Sequence, residues 1–177
     1  MTRSLPMKGS ERLTVNMFRD APWPGNIFSN FAETPFVVDG IFCTCSKAFI
    51  QSLKLEAFIQ SLKLSDPTEQ AAFCSLKGQE AWEKGSMLTE SVFASGKVWW
   101  RGSSLPLHSD EHFKWVKKGL SAKFAQSKRA REALLATGDA VLTHDYGQRP
   151  NKPQSLPVDI FCCIVTEIRC ELHRPMA

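Results

Sequence analysis

Residues 47–55 read KAFIQSLKL and residues 56–64 read EAFIQSLKL. Residues 48–55 recur without a change at 57–64, and only the leading residue differs, Lys47 against Glu56. A direct tandem identity of this kind points to duplication of a nine-residue unit. Each copy has helical spacing, with apolar Phe, Ile and Leu at i, i+1 and i+4. The two copies conflict in space. Nine residues turn a helix by roughly 900°, about two and a half turns. On one continuous helix the two apolar faces would therefore point in opposite directions. Either the helix is buried on both sides, or one copy is displaced, kinked or extruded. The copy that faces the pocket decides whether Lys47 or Glu56 stands there. A buried carboxylate does chemistry that an ammonium cannot.

Upstream of the repeat, residues 35–44 (PFVVDGIFCT) read as a hairpin, because Asp39-Gly40 between apolar runs is a type I′ turn signal. Before that, residues 15–31 mix aromatics with breakers, and Pro24, Gly25 and Asn26 form a turn. Residues 1–14 are polar and basic and read as a flexible N-terminal segment, leaving 15–177 as the domain. Downstream, Asp66 and Pro67 announce a helix to about Gly78, and a second short piece ends at Gly85. Residues 97–102 (KVWWRG) read as a short strand on which Trp99 and Trp100 point to opposite faces, one to the core and one to a pocket. Ser109, Asp110 and Glu111 open a helix to about Gln126, and another spans about 128–136. Residues 139–157 are turn-rich and read as a long functional loop. Asp159 caps a last helix to about Leu172. The expected class is α+β: one small, mostly helical domain with a hairpin and short extra strands.

Composition narrows the function classes. A chain of 177 residues is enough for one domain with a real core. A net charge of +4 weakly favours an anionic ligand and is too small to indicate a nucleic-acid binder. No apolar run approaches the roughly 20 residues of a membrane helix, and the first residues lack the apolar core of a signal peptide. The expected setting is cytoplasmic, without membrane contact and without disulfides. Cys43, Cys45, Cys74, Cys162, Cys163 and Cys170 show C-x-C and C-C spacings and no C-x-x-C pair. They read as buried small hydrophobes, not as a zinc site.

The order of short motifs resembles one family. Phe18-Arg19 is followed by Phe28-Ser29-Asn30-Phe31, then by P-F-x-V-D-G at 35–40 and A-F-I-Q-S-L-K in the repeat. W-W-R-G at 99–102 and L-L-A-T-G-D-A-V-L-T-H at 134–144 complete the series. This is similar to the NADAR (YbiA-like) superfamily and covers about residues 17–172. The resemblance implies a small α+β domain that hydrolyses N-glycosidic bonds in ribosylated compounds, with no cofactor and no metal. The partners it implies are an ADP-ribose-containing or phosphoribosyl small molecule, or ADP-ribosylated guanine in nucleic acid. Where the YbiA branch carries Trp-Gly and a Gly-rich run, this chain has Asp145-Tyr146-Gly147-Gln148, so it belongs to another branch.

Carried over position by position, the family's acid is a Glu about eight residues after the Asp of D-G. Counting forward from Asp39 reaches Lys47, whereas counting back from Ser65-Asp66-Pro67 reaches Glu56. The resemblance makes Glu56 the group beside the ribose, where it stabilises positive charge or activates water. Asp139, His144 or Asp145 would assist the departing base. Arg19, Arg101 and Lys63 would hold phosphates. Ser29, Asn30, Phe31, Lys47, Gln60, Trp99, Trp100 and Tyr146 complete the expected ligand-binding set. Taken singly, Glu56 reads as a solvated helix residue, the tryptophans as core, Asp139 as a turn residue and His144 as a loop histidine. Two rival readings follow from the same residues. With Lys47 in the acid's place, the pocket grips a nucleotide without cleaving it. Alternatively, the duplicated helix forms a partner or dimer surface.

Overall fold

The computed structural model describes residues 12–55, 67–147 and 153–174. The first copy of the repeat builds the centre. Helix α2 (Ser46–Ser52) is short because residues 53 and 54 turn out of it, and it is buried on every side. Ala48, Phe49, Ile50 and Leu53 all lie in the core. The second copy, with Glu56, Gln60 and Lys63, lies outside the described residues.

Two glycines allow neighbours to close on α2. On α4 (Gly78–Met87), a Cβ at Gly85 would stand 2.1 Å from Gln51 Oε1. On α6 (Asp110–Gln126), a Cβ at Gly119 would stand 2.1 Å from the Phe49 ring. Phe49 meets Trp100 edge-on at 5.0 Å and Phe36 at 6.2 Å, forming the aromatic heart of the core.

Around this centre the hairpin forms as its turn chemistry predicts. Strands β2 (Phe36–Val38) and β3 (Ile41–Cys43) pair antiparallel, with Asp39 and Gly40 both at positive φ. The Gln126 amide both donates to and accepts from the Val37 backbone at 2.8 Å, pinning the hairpin edge to the end of α6. Ser109 caps α6 by accepting from His112 N, and Ser127 caps α7 (Lys128–Leu135) in the same way. A short helix α1 (Gly25–Phe28) takes in Gly25 and Asn26, which the sequence placed in a turn, with Pro24 at its N-cap. Helices α3 (Pro67–Cys74) and α5 (Thr89–Ser95) complete the middle of the chain, and α8 (Val158–His173) closes it. Strand β4 (Lys97–Trp100) pairs with β5 (Ser103–Pro106). The domain is α+β and mainly helical, with three two-stranded sheets among the described residues.

Several expectations are corrected. Residues 139–157 are not loop throughout: β6 (Val141–Thr143) pairs in parallel with β1 (Thr14–Asn16). Leu13 and Thr14, placed in a flexible segment by composition, join this ladder, since Val141 N donates to Leu13 O. The pairing lies far apart in sequence, and three-residue strands are too short to show a period. Trp99 and Trp100 are both buried, because β4 has core on either face. The last helix begins at Val158 behind Pro157, which puts Asp159 in the first turn and not at the cap. Cys163 and Cys170 are exposed on the outer face of α8, unlike the buried Cys43, Cys45 and Cys74. No described helix is long and apolar enough to cross a membrane.

Candidate functional site

The strand pair β1–β6 and the start of α2 bring one group of expected residues together. Beyond the ladder, Met17 N donates to Thr143 O, and His144 Nδ1 lies 2.9 Å from Met17 O. That contact suits a tautomer with the proton on Nδ1, which leaves the Nε2 lone pair as an acceptor. The His144 ring is set edge-on among Phe18, Tyr146 and Phe161. Burial lowers its pKa, the Met17 carbonyl opposes this, and the Lys47 charge lowers it further. Asp145 is exposed and spends its backbone on Asn16 and its carboxylate on Gly147 N.

Phe31 is the platform of the group. The Lys47 ammonium stands 4.8 Å from its ring centroid and the Arg19 guanidinium 5.2 Å. Arg19 is steadied by Gln79 Oε1 at 2.9 Å and by the exposed Asp20. Lys47 N donates to Asn30 O at 2.7 Å, which ties the first turn of α2 to the Ser29–Phe31 turn. Ser29 Oγ accepts from Phe31 N and so shapes that turn. Asn30 Oδ1 and Ser46 Oγ are buried, and neither has a hydrogen-bond partner among the described residues. Buried polar atoms in native folds are ordinarily satisfied, so these two mark polar strain where the Ser29–Phe31 turn meets the start of α2.

The electrostatics are those of crowded amines. Half-buried Lys47 has its pKa lowered to about 8 by desolvation. Lys54 is buried, donating to Gly85 O and Thr89 Oγ1, and lies at about 8 through burial and then the Lys47 charge. Lys123 is wholly buried, and its Nζ donates to Phe28 O and Ser29 O beneath the Asn30–Phe31 turn. Burial lowers it to about 7. Among the described residues no carboxylate forms an ion pair with any of the three.

The remaining expected residues go elsewhere. Trp100 Nε1 donates to Asp39 Oδ2 at 2.8 Å, and Lys118 pairs with the other oxygen of that carboxylate. Those two hydrogen bonds, Lys118's first, lower the Asp39 pKa. Arg101 sits at positive φ in the turn after β4, with its N–H on Gln70 Oε1, and Gln70 also donates to Trp99 O. Asp139 is an exposed turn residue after α7. Sequence reasoning passed over Lys54, Lys123, Ser46 and Phe18. For Lys123 a signal existed: it interrupts the apolar face that His112, Val116, Gly119 and Leu120 form on α6.

The chain resembles known proteins in family and fold. The family model "Bacteriophage protein GP30.3" matches residues 22–170. An uncharacterized 17.1 kDa protein of the Gp30–rIII intergenic region of Enterobacteria phage T4 is 29% identical over 137 residues, which is 76% of this chain and 82% of that protein. The NMR structure of the E. coli protein YbiA shares the fold, with a TM-score of 0.58 at 20% identity over 93% of this chain and 87% of that one. With the family match spanning the hairpin, α2 and the His144 segment, the chain belongs to the bacteriophage GP30.3 family.

Proposed function

We propose that this protein is an N-glycosidase acting on an ADP-ribosyl or phosphoribosyl adduct of a nucleobase-type nitrogen. The observation that carries the ligand class is the Phe31 platform flanked by Arg19 and Lys47. Two cations gathered over one ring suit the phosphates of such an adduct. His144, held by Met17 O with Nε2 facing away from that bond, suits a proton relay at the departing base. The carboxylate expected from the family resemblance is Glu56, outside the described residues.

One observation favours a second reading, a binder without turnover: Lys47, not a carboxylate, stands in the first turn of α2. Incubation with an ADP-ribosylated guanine nucleoside separates the two. Release of ADP-ribose and guanine supports the enzyme. Binding by calorimetry with no release supports the binder. Neither binding nor release removes both and leaves the interaction-surface reading.

A further inference from the structure

We infer that the α2 slot takes either copy of the repeat, so that the chain exchanges between two registers and swaps Lys47 for Glu56 at the head of the helix. The occupant in the second register is segment 55–64 of this same chain. The inference goes beyond the proposed activity and is tested without it.

The packing of the slot comes first. Every side chain of residues 48–54 is buried, and all of them belong to the stretch repeated at 57–64. The contacts that shape the slot are therefore contacts to repeated residues. Gly119 leaves room for the Phe49 ring, and Gly85 for the Gln51 side chain. Trp99 N donates to Leu53 O at 2.9 Å, and Gln70 Nε2 donates to Ser52 O at 3.1 Å. Lys54 Nζ donates to Gly85 O and Thr89 Oγ1. Phe58, Gln60, Ser61, Leu62 and Lys63 offer the same groups at the same spacing. A core selects its occupant by shape and volume, so the inside of the slot does not separate the two copies.

The links at either end permit both registers. With residues 46–55 in the slot, 44 and 45 lead in from β3, and 56–66 lead out to α3. With 55–64 in the slot, 44–54 lead in, and 65 and 66 lead out. One short and one long link serve in each case, and closure entropy depends only weakly on length. The short way out is within reach, because Gln70, near the start of α3, already holds the Ser52 carbonyl.

What the chain joins to the head of each copy sets the bias. Cys45 and Ser46 lead the first copy in directly from β3, and both are wholly closed to solvent. In the second register Lys54 and Leu55 take their places. An amine is costly to bury where Cys45 stands, whereas Leu55 replaces a hydroxyl that has no hydrogen-bond partner among the described residues. The first register is therefore the major state and the second a minor one. Phe49 must leave the core for the exchange, which accordingly runs through partial unfolding.

Phe49→Ala weakens the first register and spares the second, and Phe58→Ala does the reverse. The full-length chain, both single variants and the double variant are unfolded in urea. The two copies are also followed by hydrogen exchange and mass spectrometry, in which Lys47 and Glu56 give their fragments distinct masses. Phe58→Ala alone is expected to change the folding equilibrium by no more than about twofold. In the Phe49→Ala background the same change is expected to lower it on the order of tenfold or more, because the second copy then holds the slot. Failure of the double variant alone to fold is the same result in its extreme. Amide protection should pass from 48–54 in the wild type to 57–63 in Phe49→Ala. A Phe58→Ala effect that is equal in the two backgrounds overturns the inference. Protection that stays at 48–54 in Phe49→Ala does so too, as does failure of Phe49→Ala to fold, since in each case the second copy has not entered.

Discussion

Lys47 and Lys123 do different work at either side of the same turn. Lys47 places its charge over the Phe31 ring, whereas Lys123 points inward and clamps the carbonyls of Phe28 and Ser29. A charge-assisted contact to a ligand phosphate contributes about 1.5–3 kcal/mol. Lys47→Met is therefore expected to weaken ADP-ribose binding roughly tenfold or more, as titration calorimetry would read. An unchanged dissociation constant would remove Lys47 from the site. Both lysines were available to inspection as residue types, yet their roles were not. Lys123 lies on the apolar face of a helix, and only the packing against the Ser29–Phe31 turn gives its ammonium acceptors.

At the scale of elements, the duplication resolves into one occupied slot. The α2 slot holds the first copy, and α4 and α6 close on it through Gly85 and Gly119. A methyl at Gly119 would collide with the Phe49 ring, so Gly119→Ala is expected to cost about 1–3 kcal/mol by overpacking, measured by urea denaturation. Removing residues 47–55 lets the second copy enter the slot with the same eight side chains behind Glu56, while removing 48–56 keeps Lys47 at the entrance. The two shortened chains should match in melting temperature. Only the one that brings Glu56 to the entrance should release ADP-ribose from an ADP-ribosylated guanine nucleoside. The hairpin, the Ser109 cap and the long helices were legible because local turn and capping chemistry specifies them. Strands β1, β5 and β6 were not, because each takes its order from a partner and not from its own pattern.

For the molecule as a whole, buried amines and imidazoles set the response to pH. His112 is held near 4 by burial, with the neighbouring His108 charge adding to this, and His144 is lowered as well. The unfolded chain binds more protons than the native one below about pH 6.5, so stability should fall as pH drops from there toward 4. Lys123, Lys47 and Lys54 also have native pKa values below the ordinary 10.5. Their unfolded forms hold extra protons from about pH 7 upward for Lys123 and from about 8 for the other two, so stability should rise with pH there. Buried Cys43 acts the other way above about pH 9, because its thiol is held protonated. Thermal melts across this range would check the sign. Lys123→Met should abolish the part of the rise that begins near pH 7, and an unchanged profile would deny that Lys123 is buried as an amine.

Sequence alone determined the α+β class, the hairpin register, the bounds of α6, α7 and α8, the family and the conflict posed by the repeat, since each is written in local chemistry or in motif order. Tertiary structure decided which copy fills the core, and with it that an amine stands at the entrance of α2. It also separated residues that the motifs had grouped: His144, Phe31, Arg19 and Lys47 gather at one place, while Trp99, Trp100 and Arg101 serve the core and the β4–β5 turn. The reason is physical. Identical copies have identical local preferences and would pack the same side chains, so chain connection distinguishes them: the first copy follows directly from β3 into the slot.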